Sequence, residues 1–571
     1  MVSQTLHTDI LILGSGGAGL FAALHAHKAA PQLSISVAVK GLLGKCGCTR
    51  MVQGGYNVAL AHEDSIERHF MDTIEGGKWL PDQDLAWQLV TLAVERIREL
   101  ENELGCFFDR NPDGTVHQKA FAGQTFDRTV HKGDLTGIEI INRLAEQVWS
   151  RKINRLEEHR AVELIKAKDG KSLAGVLFVD MRTGEYVFVR AKAVLLATGG
   201  GPTMYKYHTP SGDKSCDGLA MALRAGLALR DMEMVQFHPT GLLAGTHTRM
   251  TGTVLEEGLR GSGGYLLNGA KERFMPRYDP KAERATRDFV SRAMFAEIRN
   301  KNTSPHGGLY ISMAHLGPEN VRRQFKGMVE RCADCGFDLA GGLVEVVPTA
   351  HYMMGGVEFR GDCSTALPGL FVAGEDAGGV HGANRLGGNG VANSTVFGAV
   401  AGDVMAGWVQ GARFAEPDRA AIDAAIAACE QPFNRPSTGN LEALRESLYE
   451  VMWEKVGIIR DAAGLAQAAG ELASLETALD AHGLPDHNRA FNLTWHDWMN
   501  LKSLVSVSRA IAAAASARED SRGAHFRSDF PDSGPLEQSA FTSIRNDLTI
   551  EMKPVSFTRI RPGQTLLKHV A

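Results

Sequence analysis

The chain is poor in cysteine: eight in 571 residues, too few and too scattered for a disulfide framework. Cys332 and Cys335 have the spacing of half a metal site, but no second pair completes four ligands, so no metal is expected in this chain. Long unbroken apolar runs are missing too. The most apolar helical stretch, Val391 to Val409, is interrupted by Asn393, Ser394, Thr395 and Asp403, whereas a membrane span needs about 20 predominantly apolar residues. It reads as a buried helix. The 61 Lys and Arg are dispersed against 66 Asp and Glu without a dense basic cluster, so nucleic acid is not an expected partner. No signal peptide precedes the first strand-like run at Asp9, and no internal repeat or low-complexity tract is seen. A reducing, cytoplasmic setting is expected, with any hold on the inner face of a membrane supplied by a partner.

What is present is an ordinary globular composition, 44% apolar and 22% charged, in a chain too long for one core. Asp9 to Leu13 reads as a short apolar strand, Leu20 to Ala29 as a helix and Ser34 to Lys40 as a second strand. Ala193 to Thr198 and Gly369 to Gly374 repeat the strand-then-glycine pattern, which implies one parallel sheet assembled from distant pieces. Between His238 and Pro348 the composition turns richer in charge and irregular glycine, as expected of a cap inserted over a site on the sheet. Leu441 to Val456 and Trp498 to Ala515 carry helical spacing, and Ile550 to Arg561 alternates like strands. The expected division is a discontinuous α/β domain over 1–240 and 349–412, a capping domain over 241–348, a helical domain over 413–530 and an appendage over 531–571.

Gly14-Ser15-Gly16-Gly17-Ala18-Gly19 directly follows the first strand and opens a helix. Glycines there let the backbone approach a pyrophosphate at the positive helix end, although such turns also arise for packing. The acidic residue that usually ends the second strand and binds a ribose is absent, and Lys40 stands in its place. With Cys48, Thr49 and Gln53-Gly54-Gly55, this lysine resembles the stretch that wraps the flavin in succinate dehydrogenase and fumarate reductase flavoproteins. The resemblance runs in register through Phe121-Ala122-Gly123-Gln124, Ala197-Thr198-Gly199-Gly200, Asp217-Gly218 and Gln236-Phe237-His238-Pro239-Thr240-Gly241. It continues through Glu257-Gly258-Leu259-Arg260-Gly261, Arg287-Asp288-Phe289, His351-Tyr352-Met353 and His381-Gly382-Ala383-Asn384-Arg385, and reaches Glu519 to His525.

The resemblance implies an α/β, Rossmann-like FAD-binding domain with an inserted α+β cap and a C-terminal helical domain. It implies hydride exchange between flavin and a small dicarboxylate, with electrons passed to an iron-sulfur partner subunit. His238, His351 and Arg385 fall on the family's carboxylate-binding positions, and Phe121 would wall the pocket. Taken singly, each histidine is more readily an interior residue, and only the motif context reverses that order. Arg287 falls on the proton-transfer position, with Glu257 and Arg260 on its relay; by spacing alone, those two could equally form a structural ion pair. FAD contacts are implied for the glycine turn from Gly14 to Gly19, for Lys40, Cys48, Thr49, Gln53, Gly54 and Gly55, and for Ala197, Thr198, Gly199 and Asp217. They are also implied for Glu375, Arg385, Asn389 and Val391. A helix starting near Asn389 to Val391 would aim its dipole at the reduced flavin.

Three features depart from the family pattern. Cys48 occupies the place of the histidine that many relatives join covalently to FAD, so the expected cofactor is noncovalent FAD, as in L-aspartate oxidase. Glu256 occupies the place of a threonine that holds a substrate carboxylate, which sets a carboxylate against a carboxylate. The segment from Leu242 to Leu255 looks longer than in the succinate enzymes. An L-aspartate oxidase-like amino-acid oxidase and a noncatalytic flavin-binding subunit therefore stand as alternatives.

Overall fold

Ile10 to Leu13 and Ile35 to Val39 are wholly buried apolar runs, the pattern of strands covered on both faces of a parallel sheet. The structure, a computed structural model, describes residues 1–567 except 246, 247, 249 and 438. In it, β1 (Val2–Leu13) lies parallel to β2 (Ile35–Val39), and β2 lies parallel to β3 (Asn154–Glu157). Antiparallel strands β4 (His159–Lys166) and β5 (Leu173–Asp180) extend the sheet to β6 (Tyr186–Leu196), which pairs in parallel with β1. The strand Leu370–Val372 pairs in parallel with the last residues of β6, so the expected parallel core from distant segments is present. β1 and β6 are both longer than their apolar ends suggested.

Helix α1 (Gly17–Ala29) follows the glycine turn. Gly14 has φ +111°, and a Cβ there would meet the Ala197 carbonyl oxygen at 2.1 Å, so only glycine joins β1 to α1 beside β6. The four-stranded cap sheet contains β7 (Val235–Leu242), β8 (Tyr265–Leu267), β9 (Leu309–Ser312) and β10 (Val344–Met353), in the order β7, β10, β9, β8. A separate apolar cluster, including Leu242, Leu266, Ile311 and Val344, fills the space beneath it. Helix α2 (Arg287–Arg299) packs against β7.

Helix α3 (Asn389–Gly411) is the buried helix anticipated from Val391 to Val409. It crosses α1 closely, because a Cβ at Gly398 or Gly402 would run into the Ala18 or Ala22 carbonyl oxygen at 2.6 and 2.4 Å. Long helices Leu441–Glu454, Ala462–Ala481 and Leu493–Ala517 form the helical region. Its tail reaches the loop before α3 and helix α2: Ala524 N–H donates to the Ala383 carbonyl at 2.8 Å, and Arg292 donates to the Gly523 carbonyl at 2.8 Å. These bonds fix the loop that carries Arg385. Of the expected terminal strands, Ile550–Pro554 pairs with Ala540–Ile544, but 555–561 is irregular. Residues 568–571 of the expected appendage and part of the 242–255 segment lie outside the described residues.

Candidate active site

A cavity of about 570 Å³ runs from the glycine turn to the underside of the cap. That is within the usual size of a ligand site. Gly14 to Ala18, Lys40, Cys48, Thr49, Gln53 to Gly55, Ala197 to Gly199, Asp217, Glu375 and Val391 all line it. His238, His351, Arg385, Arg287, Glu256, Glu257 and Phe121 line it as well. Among the residues singled out from sequence, Gly19, Arg260 and Asn389 do not. A Cβ on Gly19 would meet the Gly14 carbonyl oxygen at 2.0 Å, so this glycine is required by helix-to-turn packing. The Asn389 side-chain oxygen is held by His69 and Asn57 at 2.9 Å each, which pins the start of α3 from behind.

At the glycine turn, the Thr49 hydroxyl accepts from Gly17 N–H at 3.1 Å and so docks the Cys48–Met51 turn on the first residue of α1. Lys40 does not stand free for a ribose. Its ammonium donates to Asp217 at 2.8 Å and to Ser215 at 3.0 Å, and Asp217 also takes Arg160 at 2.8 Å. Glu375 accepts from Met353 N–H at 2.9 Å, and burial raises its pKa to about 7. Ser15, Gln53 and Arg385 each line the cavity and each keep a buried polar atom without a protein partner. Unpaired buried polar atoms are costly unless a ligand completes them. A glycine turn at a helix N-terminus, with such unpaired groups along one elongated cavity, fits a dinucleotide-sized flavin cofactor.

At the far end, β7 supplies His238 and Gln236, β10 supplies His351, and α2 begins with Arg287. The two imidazole rings lie 5.4 Å apart. Burial, then the neighbouring Arg287, hold both well below the ordinary histidine range, so they are neutral hydrogen-bonding groups. His351 Nδ1 pairs with the Thr209 hydroxyl at 2.8 Å. Gln236 Oε1 accepts from Arg287 at 2.9 Å and from Arg385 at 3.0 Å, so one neutral oxygen bridges two guanidiniums. Gln236 belongs to the motif that carried the resemblance but was not singled out, because its bridging role depends on two residues far along the chain.

Behind Arg287 the ion pairs are continuous. Its Nη2 lies 2.6 Å from Glu257 Oε2, and Glu257 Oε1 accepts from Arg260 at 3.0 Å. Burial raises the Glu257 pKa, but Arg287 and Arg260 outweigh it and the net shift is downward, leaving a buried carboxylate. Arg260, wholly buried, donates onward to the Glu283 carbonyl at 2.7 Å, and the Glu283 carboxylate is held by the partly exposed Arg273 at 2.6 Å.

Glu256 lines the cavity but is not alone: Lys119 Nζ lies 3.4 Å from its Oε2. Lys119 also sits 5.9 Å from the centre of the Phe121 ring. Phe121 packs against two glycines, since a Cβ at Gly54 or Gly387 would strike the ring at 2.3 and 2.6 Å. Among the described residues, no group of His, Cys, Asp or Glu is arranged to hold a metal ion.

Comparison with known proteins places the chain in a family. The FAD binding domain family matches residues 9–391, and the family described as fumarate reductase flavoprotein C-term matches residues 445–566. An uncharacterized FAD-dependent oxidoreductase of Methanocaldococcus jannaschii is 40% identical over 92% of this chain and 94% of its own length. A chain of the fumarate reductase (CoM/CoB) of Methanothermobacter marburgensis is 39% identical over 94% of this chain and 96% of its own. The solved structure of an Escherichia coli quinol fumarate reductase chain superposes with a TM-score of 0.91 at 32% identity, covering 98% of this chain and 99% of that one. The chain therefore belongs to the FAD-dependent oxidoreductase family of succinate dehydrogenase and fumarate reductase flavoproteins.

Proposed function

We propose that the chain exchanges a hydride between flavin N5 and a CH–CH carbon of a small dicarboxylate, with Arg287 carrying the accompanying proton. Bound FAD supplies reversible two-electron chemistry. The observation that carries the reading is the pair of guanidiniums, Arg287 and Arg385, closing on one cavity end with the Gln236 oxygen between them. Glu257 answers the charge of only one of the three guanidiniums gathered here, Arg287, Arg260 and Arg385, and a dicarboxylate answers the charge that remains at the cavity. His238 and His351, neutral in this setting, donate or accept hydrogen bonds without adding further charge.

Arg287 gives its proton to the substrate carbon in the reductive direction and is reprotonated through Glu257 from Arg260. Glu257 is suited to this passage because it bonds both arginines through different oxygens. The start of α3 faces the same cavity through Gly390 and Val391, and its dipole stabilises negative charge there by about 1 kcal/mol. Glu256 does not require an amine on the substrate, since Lys119 already offsets part of its charge.

This reading is tested by mixing the oxidised protein anaerobically with succinate or L-aspartate while following the flavin visible band, and by offering fumarate to protein reduced with a dye. Succinate bleaching or fumarate-driven reoxidation is expected. Bleaching by L-aspartate alone would favour an amino-acid oxidase, and no response to any acid would favour a noncatalytic role.

The same proposal has the flavin held without a covalent bond. Cys48 is half-buried in the cavity wall; desolvation there, then Glu375, push its thiol up to about 12, so little of the nucleophilic thiolate forms. Acid precipitation is expected to leave the yellow colour in the supernatant, and a yellow pellet would refute this. Electrons pass, in this reading, to an iron-sulfur partner, and the protein is cytoplasmic and peripheral through that partner. No helix among the described residues is long and apolar enough to cross a membrane. The domain division at 240/241 and 348/349 belongs to the proposal as well; β7 and β10 run through those positions, so the cap begins and ends within strands.

A further inference from the structure

Lys214 was not singled out from sequence, and no motif of the chain marks it. It lines the FAD cavity in the loop before Ser215 and Asp217, with its side chain only 16% exposed. The Lys214 ammonium and the Cα of Gly16 both lie 3.9 Å from the point that a Cβ on Gly47 would occupy. The ammonium is thus within about 8 Å of Gly16 in the glycine turn that opens α1, the two facing each other across Gly47. It donates to the Thr198 carbonyl at 3.3 Å, at the end of β6, and the carboxylate of Asp213 is 4.0 Å away.

Its pairing contrasts with that of Lys40, the other lysine lining this part of the cavity. Lys40 is held by Asp217 at 2.8 Å within a network that also includes Arg160, so its charge is answered inside the protein. Among the described residues, Lys214 has one carbonyl at hydrogen-bond distance and no carboxylate that close. Two carboxyls stand nearby: Glu375 lines the same cavity, and Asp376 lies buried next to it, bonded to Thr198. Burial raises their pKa values to about 7 and about 6, so Glu375 carries only part of its charge at neutral pH. A diphosphate placed at the glycine turn brings further negative charge to this acidic corner, and the free donors of α1 supply only partial charge to meet it.

We infer that Lys214 is a binding residue for the FAD diphosphate, its ammonium supplying the full positive charge that Lys40, tied to Asp217, does not. The inference rests on the FAD reading but adds to it a residue and a contact type. Lysine suits this task as a compact ammonium on a flexible stem that pairs with phosphate as a point charge.

The test uses apoprotein of full length, made in riboflavin-starved cells, and measures dissociation constants for FAD by flavin fluorescence and for ADP by competition. Wild type is expected to bind both. Lys214→Met is expected to weaken FAD and ADP alike by about 10- to 100-fold, the range of one charge-assisted hydrogen bond, while Lys214→Arg stays within about threefold of wild type. Unchanged FAD and ADP affinity in Lys214→Met would overturn the inference. So would a loss confined to FAD, which would place Lys214 at the flavin ring instead of the phosphates. If Lys214→Met does not fold, Lys214→Gln, nearer in polarity and equally uncharged, is read by the same two constants. Wild-type apoprotein that binds no FAD would sink the cofactor reading itself, a different result from either.

Discussion

Arg287→Ala is expected to retain FAD and the fold while turnover falls by about a thousandfold or more. Its guanidinium faces the cavity beside Gln236 and links that cavity end to the Glu257–Arg260 pair. Removing it takes away the proton donor, and a positioned acid contributes about 100- to 10,000-fold. It also removes one of the two cations that meet the substrate, so the loss exceeds that of a proton donor alone. The structure should survive, because Glu257 keeps Arg260 at 3.0 Å and is not left as an unpaired buried charge. Arg287 lies at the opposite end of the cavity from the glycine turn, so flavin absorbance per protein should equal that of wild type. Steady-state turnover with succinate or fumarate, alongside flavin content, measures the outcome. Activity within tenfold of wild type would remove Arg287 from the proton path and with it the relay through Glu257.

Glu256→Gln is expected to lower the KM for a dicarboxylate by about 10- to 100-fold at neutral pH with little change in kcat. In the family pattern this position holds a substrate carboxylate, and here a buried carboxylate stands in its place. Two unit charges 4 Å apart at an effective dielectric near 20 interact by about 4 kcal/mol, and Lys119 at 3.4 Å offsets part of it. Burial raises the Glu256 pKa; Lys119 acts against that shift and Asp134 adds to it. The sign follows: at low pH the group is neutral and can donate a hydrogen bond to the substrate. As pH rises through the elevated pKa it becomes anionic and repels the substrate, so the wild-type KM rises with pH and then levels. The glutamine variant should lack that rise. Identical KM values and pH profiles for the two proteins would show that Glu256 does not meet the substrate.

Much of the site was legible in the sequence because its parts are local. The strand–turn–helix order around Gly14, the buried helix from Val391, and the three-residue spacing of Glu257 and Arg260 each depend on residues within one turn or one strand. What those short patterns could not show is which neighbour uses each side chain. Asn389, expected at the cofactor, instead anchors the start of α3 to His69 and Asn57. Gly19 packs against the Gly14 carbonyl, and Arg260 stands one step behind the cavity, bonded to Glu257. Gln236 went unmarked although it lies within a motif, because its value comes from touching Arg287 and Arg385 together.

The sequence by itself determined the family, the cofactor class and the order of the elements, since these rest on residue identity and on spacing along the chain. Only the tertiary structure decided how the charges are shared: Lys40 with Asp217, Lys119 with Glu256, and Lys214 left near the glycine turn. Coulomb pairing acts over a few ångströms in space, and Lys119 and Glu256 are 137 positions apart in the chain. No local pattern encodes such a meeting; it is set by how the cap, the sheet and their loops pack.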